Sequence, residues 1–567
     1  MPTPAVYDLQ PVHLPRLAGK PFGLFVRLLE SRVLGPPLVR KMLADLGIPR
    51  LRGLAVDEPP TFQPLWPAAG GETAARGETA TVAAVLPDAA GEGITGFRLP
   101  AVADYLAAYG DGRATPESVA ERALAAIARS DRGDPPLRAF ISVAPAQVMA
   151  DARAATARWQ ARRPPVPLDG VPLAVKDELD LAGHPTRVGT RFLGVVPALE
   201  DAAAVARWRA AGGMILGKTN MHEIGIGVTG FNRHHGTPRN PAAPRHFTGG
   251  SSSGSAAAVA AGLCPLALGA DAGGSIRIPA GLCGLVGLKP TSGRVSSVGA
   301  APLAWSVDHY GPIAGSVRDA ALGYALLAGV DPRDPATGRQ PPVTLDGLEE
   351  PRLDGLRLGV FSPWFDDADP AVVGICRGLI GQLAARGARI VEVELPGLAA
   401  AALAHLVLVA GEMTAAMAAH DREHRRDFGL DVRTNLALGR SLTASDYVKA
   451  QRVRTQIMAT FRRALATVDA VLSPTTGMTA PAIRADVLPD GESDLTTLLA
   501  LIRFAFPANL TGLPAITFPA GYAAALPVGM QAIGGPWSEH VLLHLARVAE
   551  PLVPRRRPEV CFDLLGE

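Results

Sequence analysis

The sequence predicts an α/β fold in which helices layer a single sheet, on three observations. Short β-like runs alternate with helical patterns from about Val102 onward, no internal repeat interrupts them, and nothing after residue 100 reads as an interdomain linker. With 567 residues the chain could hold three or four ordinary domains, so the pattern rather than the length favours one large unit with an extension.

Residues 1–65 differ from the rest and are expected to form an N-terminal helical extension or cap. Phe22, Leu24, Phe25, Val26, Leu28, Leu29, Val33 and Leu34 crowd one stretch between Arg27, Glu30 and Arg32. Gly35-Pro36-Pro37 breaks it, and Leu38, Val39, Met42, Leu43 and Leu46 start a second helical period beside Arg40 and Lys41. Two short amphipathic helices follow. They either pack on the body as an extra layer or form a partly exposed cap that touches a membrane or an oily substrate. In the second reading residues 20–48, with Phe22, Phe25 and Leu29, line or cover the entrance to an acyl-chain channel.

Residues 66–99 lack periodicity and read as a linker. Thr115 and Pro116 open a helix as N-cap and first helical residue, and an alanine-rich helix covers about Val148 to Arg162. The β-like runs are Pro172 to Val175, Met214 to Leu216, Cys264 to Leu268, Arg357 to Val360, Ile390 to Val393 and Val468 to Leu472.

Composition narrows the function. Fifty-five Lys+Arg against 53 Asp+Glu leave a net charge of +2, too little excess for a protein that works by neutralising nucleic-acid phosphates. Only six of the basic residues are lysines, the bias expected of a GC-rich genome. Four cysteines without CxxC spacing suggest neither a zinc site nor a disulfide framework, so a reducing, cytoplasmic setting is expected. Residues 1–20 show no secretory pattern, and the apolar run from Gly397 to Gly411 is short enough for a buried helix.

The densest chemical signal lies between Thr248 and Arg294. Gly249-Gly250-Ser251-Ser252-Ser253-Gly254 precedes an alanine run, and an apolar run then leads to Asp271-Ala272-Gly273-Gly274-Ser275-Ile276-Arg277. A helix climbing ~1.5 Å per residue and a strand returning at ~3.3 Å can bring the two serine turns together. The second turn could aim several amides at one point, as an oxyanion hole requires; a phosphate cradle or a plain tight turn are the alternatives. The Ser251–Ser253 stretch formally fits a nucleophile elbow, but Pro241 to Thr248 before it reads as a loop rather than a strand. A histidine base drawn from His222, His234, His235, His246 or His309 has no recognisable aspartate partner. Lys176 ends the apolar run Val171 to Val175, where burial lowers a lysine's pKa and equips it as a base. The competing reading pairs it with Asp177 or Asp180 at the surface.

Together these residues resemble the amidase signature family of Ser–Ser–Lys hydrolases. The resemblance rests on Val175-Lys176-Asp177, Gly249 to Ser252 and Gly273 to Arg277, and extends through Gly287 to Thr291, Asn509 to Ala515 and Leu526 to Gln531. Further stretches, Asn220 to Gly225, Ser473 to Pro481, Leu24 to Glu30 and Glu58 to Pro64, are similar to the plant-type fatty acid amide hydrolases. One departure is Ala272, where that group commonly has glycine; alanine keeps its N–H and serves unless the position needs positive φ.

The resemblance implies an α/β/α sandwich with a large mixed sheet over residues 100–567. It implies Ser275 as nucleophile, Ser251 on a cis peptide as the bridging serine, and Lys176, buried and neutral, as the base. The amides of Ala272, Gly273, Gly274 and Ser275 would form the oxyanion hole, with Ser252, Asp271 and Arg277 in support. No metal or organic cofactor is implied. Acyl amides, N-acylethanolamines foremost, are the expected substrates of a homodimer that touches membrane through residues 20–48. Short, aromatic or carbamate amides, or a place as the amidase subunit of a tRNA-dependent amidotransferase, are the alternatives.

Overall fold

Eleven strands form one mixed sheet in the computed structural model, which describes residues 7–9, 15–67, 94–163 and 166–566. In chain order they are β1 (Phe140–Val143), β2 (Pro172–Lys176), β3 (Met214–Thr219), β4 (Leu266–Asp271), β5 (Val286–Lys289), β6 (His309–Ala314), β7 (Arg357–Val360), β8 (Arg389–Glu392), β9 (Ala470–Pro474), β10 (Ala515–Ala523) and β11 (Leu526–Gly534). In space they run β8-β7-β9-β11-β10-β5-β6-β4-β2-β3-β1. The β4-β2-β3 block and the β8-β7-β9 block are parallel, and the pairs that join them are antiparallel. Two apolar cores lie on opposite faces. Ala470 and Leu472 of β9 belong to one and Val471 to the other, the period of two that a sheet covered on both sides imposes.

The sequence located six of these strands to within a few residues. It passed over β1, β5, β6 and the β10–β11 hairpin. Thr115 does cap its helix, accepting the Ser118 amide at 3.1 Å, with Pro116 as the first residue of Pro116–Ser130. The stretch before the triple serine is not wholly a loop: Ala243–Phe247 is a strand, paired with Arg239–Asn240 in a ribbon outside the main sheet.

Among its described residues the extension holds three helices, α1 (Gly19–Leu29), α2 (Gly35–Asp45) and α3 (Ile48–Gly53). Pro36 and Pro37 sit in the first turn of α2, where a missing N–H costs nothing. Phe22 and Val26 are fully buried against Leu430, and Leu29 joins the core that carries Val471. Phe22 and Leu29 are therefore structural, which corrects their expected place at a channel mouth. Leu24, Leu28, Val33 and Leu34 are the residues that face outward.

Residues 54–67 form a strap held along the helix Ala444–Leu465. Lys449 Nζ donates to Leu54 O at 2.6 Å, Arg452 Nε to Glu58 O at 2.7 Å, Thr455 Oγ1 to Pro59 O at 2.6 Å and Arg454 Nη1 to Phe62 O at 3.0 Å. Arg52 pairs with Asp446 at 2.7 Å. The linker read at 66–99 falls for residues 68–93 outside the described residues; at its margins Trp66 Nε1 donates to Thr511 O at 2.9 Å and Gly96 bridges to Arg555. The apolar run around His405 is the helix Leu398–Ala416. It is long and apolar enough to cross a membrane by composition, yet 61% of its apolar window is buried inside the protein.

Candidate active site

Lys176 ends β2, a strand buried at every position because β3 and β4 pair with it on both edges and helices cover both faces. Its side chain is 1% exposed. Its Nζ donates to Ser251 Oγ at 2.8 Å and to Ala270 O at 3.4 Å. Neither surface partner considered from the sequence holds it: Asp177 faces Lys218 at 3.4 Å, and Asp180 accepts from Thr186 Oγ1 at 2.6 Å. Glu178 does, with Oε2 2.6 Å from Nζ.

Ser251 follows a cis peptide from Gly250. Its carbonyl accepts the His222 amide at 3.1 Å, which fixes the turn against the chain leaving β3. Ser252 Oγ donates to Ala270 O at 3.1 Å and accepts the Ala270 amide at 3.3 Å, so its hydroxyl is committed to β4. The helix Ser253–Ala260 then climbs away and β4 returns. The two serine turns meet as their spacing suggested, with the Ser252 amide donating to Ser275 O at 3.2 Å.

Asp271, the last residue of β4, organises the second turn. Its Oδ1 accepts the Gly274 amide at 2.6 Å and its Oδ2 the Ile276 amide at 3.1 Å. Arg277 forks onto both oxygens at 3.0 Å, then reaches Gln531 Oε1 at 2.6 Å, Asn509 Oδ1 at 2.6 Å and Ala505 O at 2.9 Å. Both charged groups are fully buried. Burial alone would raise the Asp271 carboxyl, but the Arg277 guanidinium, helped by Lys289 and Asn509, holds it well below the usual carboxylate range. This geometry corrects one expectation. The Gly274 N–H is taken by Asp271, so it is not a free oxyanion donor; among the described residues the amides of Ala272, Gly273 and Ser275 make no hydrogen bond. Gly274 is glycine for another reason: its φ is +116°, and a Cβ there would lie 2.5 Å from that of Ala505. Ala272 has no positive φ, so alanine serves in place of the glycine.

Three partners escaped the sequence reading. Glu178 was hidden behind Asp177 and Asp180. His405 comes from a helix 133 positions further along and donates Nε2–H to Ala272 O at 2.8 Å; burial lowers its pKa to about 4, so the ring is neutral and supplies that proton as a hydrogen-bond donor. His222 does have an aspartate, Asp431, at 2.8 Å, but no serine hydroxyl meets its ring. Glu178 lies in the turn that closes just after the strand, where the Leu179 amide donates to Lys176 O at 3.1 Å, so its reach back to the lysine comes from the turn and carries no sequence signal of its own.

The family described as Amidase matches residues 121–543. A fatty acid amide hydrolase of Medicago truncatula is 39% identical over 99% of this chain and 96% of its own. A glutamyl-tRNA(Gln) amidotransferase component from Symbiobacterium thermophilum is 38% identical over 76% of this chain and 92% of its own. Among solved structures, the native peptide amidase of Stenotrophomonas maltophilia superposes with a TM-score of 0.70 at 31% identity, covering 81% of this chain and 98% of that one.

Proposed function

The chain belongs to the Amidase family, and from that premise we propose that it hydrolyses fatty acyl amides, N-acylethanolamines among them, through Lys176, Ser251 and Ser275. The carrying observation is the short bond from Lys176 Nζ to Ser251 Oγ, in a turn whose next amide is tied to the backbone of Ser275.

In this mechanism Ser275 Oγ attacks the amide carbonyl. Its proton passes to Ser251, and that of Ser251 passes to Lys176. The amides of Ala272, Gly273 and Ser275 receive the oxyanion, each worth about 3–4 kcal/mol in a comparable site. Collapse breaks the C–N bond while Lys176 returns its proton through Ser251 to the leaving amine. Water then opens the acyl ester. No residue of this scheme calls for a metal or an organic cofactor.

Likeness over the full length to a fatty acid amide hydrolase, against three-quarters coverage by the amidotransferase component, favours the lipid substrate. The half-buried apolar helix Leu495–Ile502 supports it, since Ile502 Cδ1 would lie 3.3 Å from a Cβ at Gly273 and so walls the turn with hydrocarbon. We take residues 1–65 as a cap on a catalytic unit of residues 100–567. The cap's exposed Leu24, Leu28, Val33 and Leu34 stand among the exposed cations Lys20, Arg27, Arg32 and Arg40, which suits a cytoplasmic homodimer touching an anionic membrane surface.

The purified protein, without ATP or tRNA, should release amine from long acyl amides and react with a fluorophosphonate probe. Ser275→Ala should do neither. Equal labelling of that variant would place the nucleophile elsewhere, and release confined to short amides would overturn the lipid assignment.

A further inference from the structure

Glu178 has no part in the scheme above, yet it is the group nearest the proposed base. Its side chain is 5% exposed, against 1% for Lys176. Its Oε2 lies 2.6 Å from Nζ but makes no aligned hydrogen bond with any described group, so what it offers the lysine is proximity rather than a directed bond. Only the backbone of Glu178 is tied to the loop opposite, its carbonyl accepting the Ala301 amide at 2.8 Å. Among the described residues, Lys176 is the group that this carboxylate pairs with.

A second buried carboxyl, that of Asp308, feels the charges of this pair. Asp308 stands just before β6, and its Oδ2 accepts the amides of Leu303 at 3.1 Å and Ala304 at 3.0 Å. Desolvation, and after it the charge on Glu178, push Asp308 well above the ordinary carboxylate range, with Lys176 opposing. The remaining titratable neighbours that feel Glu178 are Lys218 on β3 and Tyr310 on β6.

We propose that Glu178 is a positioning residue for Lys176: its carboxylate holds Nζ on Ser251 and compensates the positive charge that Nζ acquires with the serine's proton. The inference rests on Lys176 being the base. As the bond from Ser275 Oγ to the carbonyl carbon forms, two protons move one place each and Lys176 becomes an ammonium beside an unchanged Glu178 carboxylate. The same proton later leaves through Ser251 for the amine. Glu178 never gives or takes a proton; it lowers the cost of the charged stage, the part an aspartate plays toward a histidine base in serine proteases.

The test uses the full chain and follows kcat, KM and fluorophosphonate labelling from neutral to alkaline pH in wild type, Glu178→Gln, Glu178→Asp, Asp308→Asn and Lys176→Ala. Glu178→Gln should lose about 10–100-fold in kcat with KM nearly unchanged. Its rising alkaline limb should also move down by about one pH unit, because an ammonium without its counter-charge forms less readily. Glu178→Asp should recover most of both, and Asp308→Asn should move the limb far less. If Glu178→Gln keeps the wild-type kcat and limb while Lys176→Ala is inactive, the role of Glu178 is overturned and the base stands. Should Lys176→Ala stay active, the base reading falls and takes this proposal with it. If Glu178→Gln melts too low to assay, the limb of Glu178→Asp decides: a limb at the wild-type pH together with a large loss in kcat marks a packing role and overturns the proposal.

Discussion

The amide of Gly274 donates to Asp271 Oδ1 at 2.6 Å, so the residue just before Ser275 braces the turn rather than facing the carbonyl. Asp271 is also the counter-charge of a fully buried arginine. Asp271→Asn should therefore leave Arg277 uncompensated and cost about 3–5 kcal/mol in urea unfolding. Activity should fall more steeply than the folded fraction. A variant as stable as wild type would remove Asp271 from this role.

Lys176 and Lys218 are both buried, but they sit in different chemistry. Lys218 bonds Leu179 O and Thr186 Oγ1 and faces Asp177, and among the described residues no serine hydroxyl bonds its Nζ. Lys176→Ala should lose about 10²–10⁴-fold in kcat per folded molecule, and some stability too, because Glu178 is left buried without its partner. Lys218→Ala should lose about 3 kcal/mol of stability, and its folded molecules should turn over far faster than those of Lys176→Ala. Wild-type activity should rise from neutral toward alkaline pH as the base loses its proton. Equal kcat losses in the two variants would sink the distinction.

The inward and outward residues of the N-terminal extension predict opposite phenotypes. Serine at Leu24, Leu28, Val33 and Leu34 should leave the melting temperature alone and reduce co-sedimentation with anionic vesicles, along with kcat/KM for long acyl amides. Phe22→Ala should instead cost about 3–5 kcal/mol through the cavity it leaves, with short and long substrates falling alike. Vesicle binding that survives the four serines would place the membrane contact elsewhere.

His405 gives the stability an acid dependence. Its folded pKa is about 4, below the ordinary ~6.5 of the unfolded chain. Above pH ~6.5 both states are neutral and the contribution is whole. As pH falls from there toward 4 the unfolded state binds a proton that the native state refuses, and stability drops by up to about 3 kcal/mol. His405→Gln should abolish that component while keeping a donor for Ala272 O. Identical pH slopes in variant and wild type would show that His405 does not titrate this way.

The sequence displays what is local. Lys176, Ser251 and Ser275 stand in motifs whose spacing already requires a strand, two glycine turns and a helix between them. It hides what arrives from far along the chain: His405 carries no motif, and Asn509 and Gln531 lie in recognisable stretches whose partner, Arg277, is more than 230 positions away. Two of the missed strands fail for the same reason. Val286–Lys289 and His309–Ala314 contain glycine and proline, and their neighbours rather than their own propensities make them strands. The Gly274 amide was misread because amides look alike in a sequence, and only the Asp271 side chain decides where this one points.

The strap along Ala444–Leu465 sets an order of events during synthesis. Every backbone oxygen it offers to Lys449, Arg452, Arg454 and Thr455 waits for a helix encoded nearly 400 residues later. At the ~5–20 residues per second of ribosomal elongation, the first helices leave the ribosome some 20–80 s before their seat exists. Throughout that interval Phe22, Val26 and Leu29, wholly interior in the finished molecule, have only solvent or a chaperone to cover them.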